Sequence, residues 1–354
     1  VPDWAISEWP MREQPDELLA ELYHAYAPLH QEETPDDPRP SLEADIAAER
    51  SMPAPEGGVV LVARDPAGEI AGWSRCRWEE LPGWDHTLNV RVMVLPERRR
   101  QGLGRILLER SVAVAEARKL RLVIGRTRDT IPAGGAFCLR FGAKAVQTGN
   151  ENRQDLHAVD RALVDRWLAE GPDRGSGYHL QFIAGSTPPE LVGQVAKAHN
   201  ALNTAPRDDL DVGDTEITPE LVRQFEDSAA AAGDELWSYY AVHDDTGDFV
   251  GTTGIWIPPS TPDRVYVGAT AVDPAHRGHA LGKWLKAAMT ERIVTELPAV
   301  RWVLTWNAES NDAMQSINRQ LGFRPTFVST TWQVATDILR GNLADGAPER
   351  RTSD

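Results

Sequence analysis

Val272 to Met289 reads VDPAHRGHALGKWLKAAM: the end of a strand-like run, a proline, an arginine among small residues, and at once an amphipathic helix. The device stands earlier in the chain as well, as VLPERRRQGLGRILLERSV from Val94 to Val112. A strand that breaks into a small-residue turn and opens a helix converges backbone N–H groups and the helix N-terminus on one point, which suits negative oxygens. The later turn is Arg277-Gly278-His279-Ala280-Leu281-Gly282-Lys283, and its helix carries an apolar stripe of Leu281, Trp284, Leu285, Ala288 and Met289. The earlier turn is Arg99-Arg100-Gln101-Gly102-Leu103-Gly104-Arg105, followed by Ile106, Leu107 and Val112. Neither ends in the Gly-Lys-Ser/Thr of a Walker loop, and neither has the Gly-x-Gly-x-x-Gly of a dinucleotide fold. A lone Gly-x-Gly before a helix is commonly a tight corner. A corner that recurs with its arginine and its spacing is a pyrophosphate cradle.

Working outward, the repeat extends well past the turn. LVARDPAGEIAGWSRCRW (Leu61 to Trp78) matches YAVHDDTGDFVGTTGIWI (Tyr240 to Ile257), each a hairpin turning at an Asp/Gly pair. PDELLAELYHAYAPL parallels PPELVGQVAKAHNAL as a helix with acidic residues in its first turn. After each turn-helix comes a buried strand, Leu120 to Arg126 or Val300 to Trp306, and then a short helix. Corresponding positions lie roughly 173 to 180 residues apart, which is the size of a duplicated domain. The expected fold class is α/β, a mixed sheet with helices, in two tandem domains at 1–168 and 178–340. The linker is expected near LAEGPDRGSGYH, where Gly171, Pro172, Gly175 and Gly177 break the periodicity, and GAPERRTSD is expected as a polar tail.

With 354 residues, each half is large enough to bury its own core. No apolar run approaches the roughly 18 residues that cross a bilayer, and the first residues lack a signal-peptide pattern, so a cytoplasmic protein is expected. The two cysteines, Cys76 and Cys138, are far apart and have no histidine at ligand spacing, so neither a disulfide framework nor a metal site is expected. Acidic residues outnumber basic ones 53 to 37, for a formal charge of −16. Such a field repels nucleic acid and anionic membranes and mildly favours a cationic small molecule.

The pattern V-x-P-x-x-R-x-x-Gly/Ala-x-Gly between strand and helix resembles motif A of the GCN5-related N-acetyltransferase (GNAT) superfamily. Its double occurrence is similar to the tandem, mycothiol synthase-like members. The resemblance implies that the turn binds the pyrophosphate of acetyl-CoA while the strand before it pairs with the pantetheine arm. Carried onto this chain, it implies Thr270, Ala271, Val272 and Gly278 to Lys283 in the second copy, with Val92, Met93, Val94 and Arg100 to Arg105 in the first, and the motif arginines Arg277 and Arg99. A second family motif has an Asn at the start of the next short helix and a Tyr seven residues on, which commonly protonates the leaving thiolate. The second copy has Asn311 and Asn318 at these positions, the first Ile131 and Cys138. The second copy keeps more of the pattern and is expected to be the catalytic one.

Acetyl transfer to an amine requires a polarised carbonyl, a deprotonated amine and an outlet for the thiolate. The family places its base on the central strand before the turn, where this chain has Tyr266 and, in the first copy, Leu88. Tyr266 is read either as a packed strand aromatic or as a group that orders a water. Asp211, Asp214 and Glu216 cluster in PRDDLDVGDTEITPE and are read either as acceptor-site acids or as a solvated loop. The expected activity is acetyl transfer to the primary amine of a small molecule such as an antibiotic, amino sugar or amino-acid derivative. A protein N-acetyltransferase and a non-catalytic acyl-CoA binder are the alternatives.

Overall fold

A computed structural model describes residues 3–51 and 56–345, so the expected tail GAPERRTSD lies outside the described residues. In chain order the elements are β1 (Ala5–Pro10), α1 (Asp16–Ala25), α2 (Ala27–Glu33), α3 (Leu42–Arg50), β2 (Glu56–Arg64), β3 (Ile70–Glu79), β4 (Thr87–Val94), α4 (Leu103–Ala117), β5 (Leu122–Arg128), α5 (Pro132–Arg140), β6 (Lys144–Asp155) and α6 (Arg161–Arg174). They continue as β7 (Tyr178–Ala184), α7 (Val192–Asn200), α8 (Pro219–Ala232), β8 (Glu235–His243), β9 (Phe249–Ile257), β10 (Arg264–Val272), α9 (Leu281–Glu296), β11 (Trp302–Ala308), α10 (Asp312–Gln320), β12 (Arg324–Ala335) and α11 (Thr336–Ala344). The mixed α/β architecture expected from the repeat is present.

The chain forms two compact units. The first takes in Val1–Thr148, Asp208–Gly213 and Val328–Asp354, and the second Gly149–Arg207 and Asp214–Phe327. In the first, the strands run in the order β1-β2-β3-β4-β5-β12. Here β5 pairs with β4 in parallel and with β12 antiparallel, Leu122 opposite Ala335 and Arg128 opposite Ser329. In the second, the order is β6-β11-β10-β9-β8-β7, with Trp302 of β11 opposite Asp155 of β6 and Ala308 opposite Gly149. Each unit is thus completed by a strand from the other half of the sequence. The compact units and the halves at 1–168 and 178–340 divide the chain differently for that reason.

Each sheet is covered on both faces. In the first unit Leu103, Leu107 and Val112 of α4 pack on Leu61, Leu88 and Val123, while Leu18 and Leu22 of α1 pack on Val60, Trp73 and Met93. In the second, Ala287, Met289 and Ile293 of α9 pack on Val265, Ile255 and Val303, while Val192, Val195 and Ala196 of α7 pack on Tyr240 and Phe249. The alternation of faces along each strand follows from its period of two. The stretch expected as a linker is ordered: α6 continues through Pro172 to Arg174, and Tyr178 already opens β7, opposite His243.

Candidate active site

The two turns share one backbone conformation. Left-handed residues sit at equivalent positions in both, Arg100 (φ 63°) and Gly102 (φ 86°) in the first unit, Gly278 (φ 89°) and Ala280 (φ 57°) in the second. Each copy therefore holds one non-glycine residue in a region costing roughly 1–2 kcal/mol, a strain that persists where the surrounding structure requires it. Left-handed residues that lead directly into a helix start turn successive N–H groups inward as an anion nest. None of the N–H groups of Gly278, His279, Ala280, Leu281 and Gly282 has an acceptor among the described residues; the first helix-closing bonds are those of Lys283 and Trp284 to the Ala280 carbonyl. The same holds for Arg100 to Gly104, before Arg105 bonds to Gly102. Five free donors beside a helix N-terminus fit a pyrophosphate, so this structure suits the acyl-CoA that the sequence implies.

The motif arginines brace the turns. Arg277 donates from Nε to the Val272 carbonyl at 3.0 Å and from Nη2 to Thr204 Oγ1 at 2.7 Å. Arg99 donates to the Val94 carbonyl at 3.2 Å and pairs with Glu32 at 2.5 Å. In the second unit the turn also rests on rings: the Tyr178 hydroxyl meets His276 Nδ1 at 2.9 Å, and its ring lies 5.2 Å from that of His279. A Cβ on Gly282 would sit 3.4 Å from Ile317, an ordinary contact, and one on Gly104 3.3 Å from Phe137.

Below each turn the central strands part. β10 pairs with β11 only over Arg264–Tyr266, and β4 with β5 only over Thr87–Asn89. Past these pairs the strand edge facing the opening has no strand partner among the described residues, while the other edge stays paired: Thr270, Ala271 and Val272 lie opposite Thr253, Thr252 and Gly251, and Val92, Met93 and Val94 opposite Ser74, Trp73 and Gly72. The units differ at one point. β10 slips register against β9 between Val267 and Thr270, so Gly268 and Ala269 form a bulge, whereas β4 runs against β3 without a slip. A bulge leaves backbone groups unpaired and re-aims them.

The candidate acids separate. Asp211 belongs to the first unit, where Arg121 pairs with it at 2.9 Å and holds its carboxyl below the ordinary range. Asp214 belongs to the second and is paired with Arg207 at 2.6 Å; Glu216 is exposed there. Tyr266 is 38% exposed, directly opposite Trp256, which is 43% exposed. Asn311 caps α10, its Oδ1 accepting the Met314 N–H at 3.3 Å. Asn318, where the family has its Tyr, is buried and donates to Asn307 Oδ1 at 2.6 Å, leaving its own Oδ1 without a partner. Burial pushes the Tyr240 hydroxyl up to about 12 and the Cys138 thiol to about 11, so neither is a useful acid at neutral pH. The Tyr239 hydroxyl accepts from Arg292 at 2.9 Å.

In the first unit the equivalent ground is taken by a charged network that the sequence did not signal. Arg91, on β4 where the strands part, pairs with Glu33, which also accepts from Tyr26 at 2.7 Å and lies 3.6 Å from Arg128. Desolvation, together with Glu33, raises the Tyr26 hydroxyl against the lowering effect of Arg91.

The pattern of the Acetyltransferase (GNAT) family matches residues 19–142 and 201–323, one match in each repeat. Among solved structures, a tandem GNAT protein from the clavulanic acid biosynthesis pathway, determined without AcCoA, is 25% identical, with a TM-score of 0.76 over 94% of this chain and 99% of that one. A GCN5-related N-acetyltransferase from Sphaerobacter thermophilus superposes with a TM-score of 0.66 at 15% identity, covering 95% and 97% of the two chains. A glucosamine N-acetyltransferase region of a fungal multi-domain β-N-acetylglucosaminidase superposes at 0.63 and 12% identity, over 94% of this chain and 38% of that one. No curated protein matches the chain. No helix among the described residues is long and apolar enough to cross a membrane. Two free-donor nests, each above a pair of parting strands and each covered by a family match, give the identity at this level: the chain belongs to the acetyltransferase (GNAT) family, as a tandem acetyl-CoA-dependent N-acetyltransferase.

Proposed function

We propose that the second unit transfers the acetyl group of acetyl-CoA to the primary amine of a small molecule, and that the first unit serves it as a structural partner. The observation that carries this assignment is the bulge at Gly268 and Ala269, immediately past the last residues that β10 shares with β11. Acetyl-CoA supplies an activated acyl thioester. The chain supplies five nest donors for the pyrophosphate, the free edge of Thr270 to Val272 for the arm, and a backbone N–H from the bulge to polarise the carbonyl, which needs no side chain.

The amine must lose a proton, and three groups of the second unit are suited to receive or relay it: Tyr266, through an ordered water, and the carboxylates Asp214 and Glu216. Asp211 drops out of that set, because it belongs to the first unit. Asn318 holds Asn307 and offers the departing thiolate a neutral amide environment rather than an acid. The acceptor remains at the level of an antibiotic, amino sugar or amino-acid derivative, and nothing in the comparisons favours a mycothiol synthase-like acceptor over these. In the first unit, Arg91 and its partners Glu33 and Tyr26 stand where an acceptor would enter.

The test is CoA release with a panel of amines for Gly282→Trp and, separately, Gly104→Trp. The first should abolish turnover and acetyl-CoA binding by the second unit, and the second should leave turnover in place. The reverse result would move catalysis to the first unit. Acetyl-CoA binding without release for any amine would favour the alternative, a non-catalytic binder, which the missing Tyr at Asn318 and Cys138 motivates.

A further inference from the structure

The face of β9 and β10 turned away from α9 carries two large aromatic side chains that stay partly exposed. Val265, Val267 and Ile255 point into the core beneath α9, so their neighbours Tyr266, Gly268 and Trp256 lie on the opposite face. Trp256 is 43% exposed and Tyr266 38% exposed. They are direct cross-strand partners. Trp256 also leans along the strands: a Cβ on Gly268 would come within 2.4 Å of its six-membered ring, so the ring reaches over the bulge glycine. An exposed indole therefore floors the place where β10 opens from β11. The first unit has Arg77 opposite Asn89 in the corresponding part of its sheet.

Asp263 is paired with Arg264 at 3.0 Å, which holds the Asp263 carboxyl below its ordinary range. What the face offers a ligand is ring surface beside a re-aimed backbone N–H. Indole faces stack on flat apolar groups and exclude water from them. We infer that Trp256, with the ring of Tyr266 beside it, is the specificity-determining platform for the acceptor, and that the acceptor is a primary amine whose non-reacting part is a flat aromatic ring one or two carbons from the nitrogen. The inference rests on the proposal that the second unit is the catalytic one. It places the amine at the bulge and the ring over Trp256, with Gly268 leaving room for the indole.

The experiment compares 2-phenylethylamine, n-butylamine and glucosamine as acceptors for the full chain and for Trp256→Ala and Trp256→Phe. Phenylethylamine should exceed butylamine at least tenfold in kcat/KM, through KM. In Trp256→Ala that ratio should fall to within threefold of one, and Trp256→Phe should restore part of it, an effect on selectivity that a purely structural role for the indole would not produce. Equal use of the two alkylamines by the unaltered chain, or preference for glucosamine, overturns the inference and leaves acetyl transfer standing. If no amine is turned over, calorimetric binding of phenylethylamine to the CoA-saturated chain decides: binding lost in Trp256→Ala keeps the ring platform and sinks the transfer proposal, and absence of binding overturns the platform.

Discussion

Lys286 is the perturbation with the largest expected effect on stability. It lies on the second turn of α9 with 4% of its surface exposed and pairs with no carboxylate among the described residues. Its ammonium lies 5.6 Å from the centre of the Phe323 ring. Burial pushes its pKa from the ordinary 10.5 to about 8. Each tenfold change in proton affinity corresponds to about 1.4 kcal/mol, so keeping the lysine charged in the folded chain costs about 3 kcal/mol below pH 8. The folded-state pKa lies below the unfolded one, so between about pH 8 and 10.5 the unfolded chain binds more protons. Stability should therefore rise with pH across that window, whereas below it the cost is complete and constant. Lys286→Met removes the charge, and the equivalent position of the first unit shows an apolar side chain is accepted there: Leu108 is buried in the core beneath α4. Urea unfolding at pH 7 should show Lys286→Met more stable by about 2–3 kcal/mol, allowing for loss of the contact with Phe323. The gap should close to under about 1 kcal/mol by pH 10.5. A gap that does not change between pH 7 and 10.5, or a variant less stable than the parent at pH 7, would refute the reasoning.

Three further outcomes are expected. kcat/KM for an amine acceptor should rise with pH through a single ionisation and then level, because the neutral amine with its ordinary pKa of about 10 is the nucleophile; a flat profile between about pH 6 and 9 would point to a hydroxyl acceptor or slow release. Gly268→Ala should lose about 1–3 kcal/mol in urea unfolding and most of kcat, since its Cβ would drive into the Trp256 ring at 2.4 Å. Asp214→Asn with Glu216→Gln should raise KM for a cationic amine at low salt by roughly 0.2–1 kcal/mol per exposed pair, fading as salt is added, while Asp211→Asn leaves that KM unchanged.

The cradle was legible because it is local. Consecutive residues 94–105 and 272–283 carry all of its conformation, and the repeat supplied the control that one occurrence lacks. The hairpins at 61–78 and 240–257 were legible for the same reason, their turns marked by Gly68 and Gly247 in the left-handed region. What escaped were partnerships over long separations. Arg324–Ala335 alternates as a strand does at Val328, Thr330, Trp332 and Val334, yet alternation names no neighbour, and Lys144–Asp155 has no apolar side chain beyond Val146 to mark a face. Asp211 and Asp214 stand three residues apart and belong to different units because the chain returns to the first unit for six residues, a detour that no periodicity marks. β1 and β7 escaped because short edge strands have little pattern. In the sequence Trp256 is only a hairpin residue, since exposure is a property of what fails to cover a side chain.

The exchanged strands set an order of events during synthesis. When residue 155 has been made, the first half of the sequence holds β6, which belongs to a sheet whose other five strands have not yet been translated. The sheet of the first unit meanwhile ends at β5, an open edge from Leu122 to Arg128, until Arg324–Ala335 arrives some two hundred residues later. Loop closure of that length is slow, and an unpaired edge is a template for other chains. A gene cut between the repeats would express two fragments, each carrying one strand that fits the other fragment and lacking the one it needs. Two such fragments produced together should complement each other in solution, and either alone should aggregate.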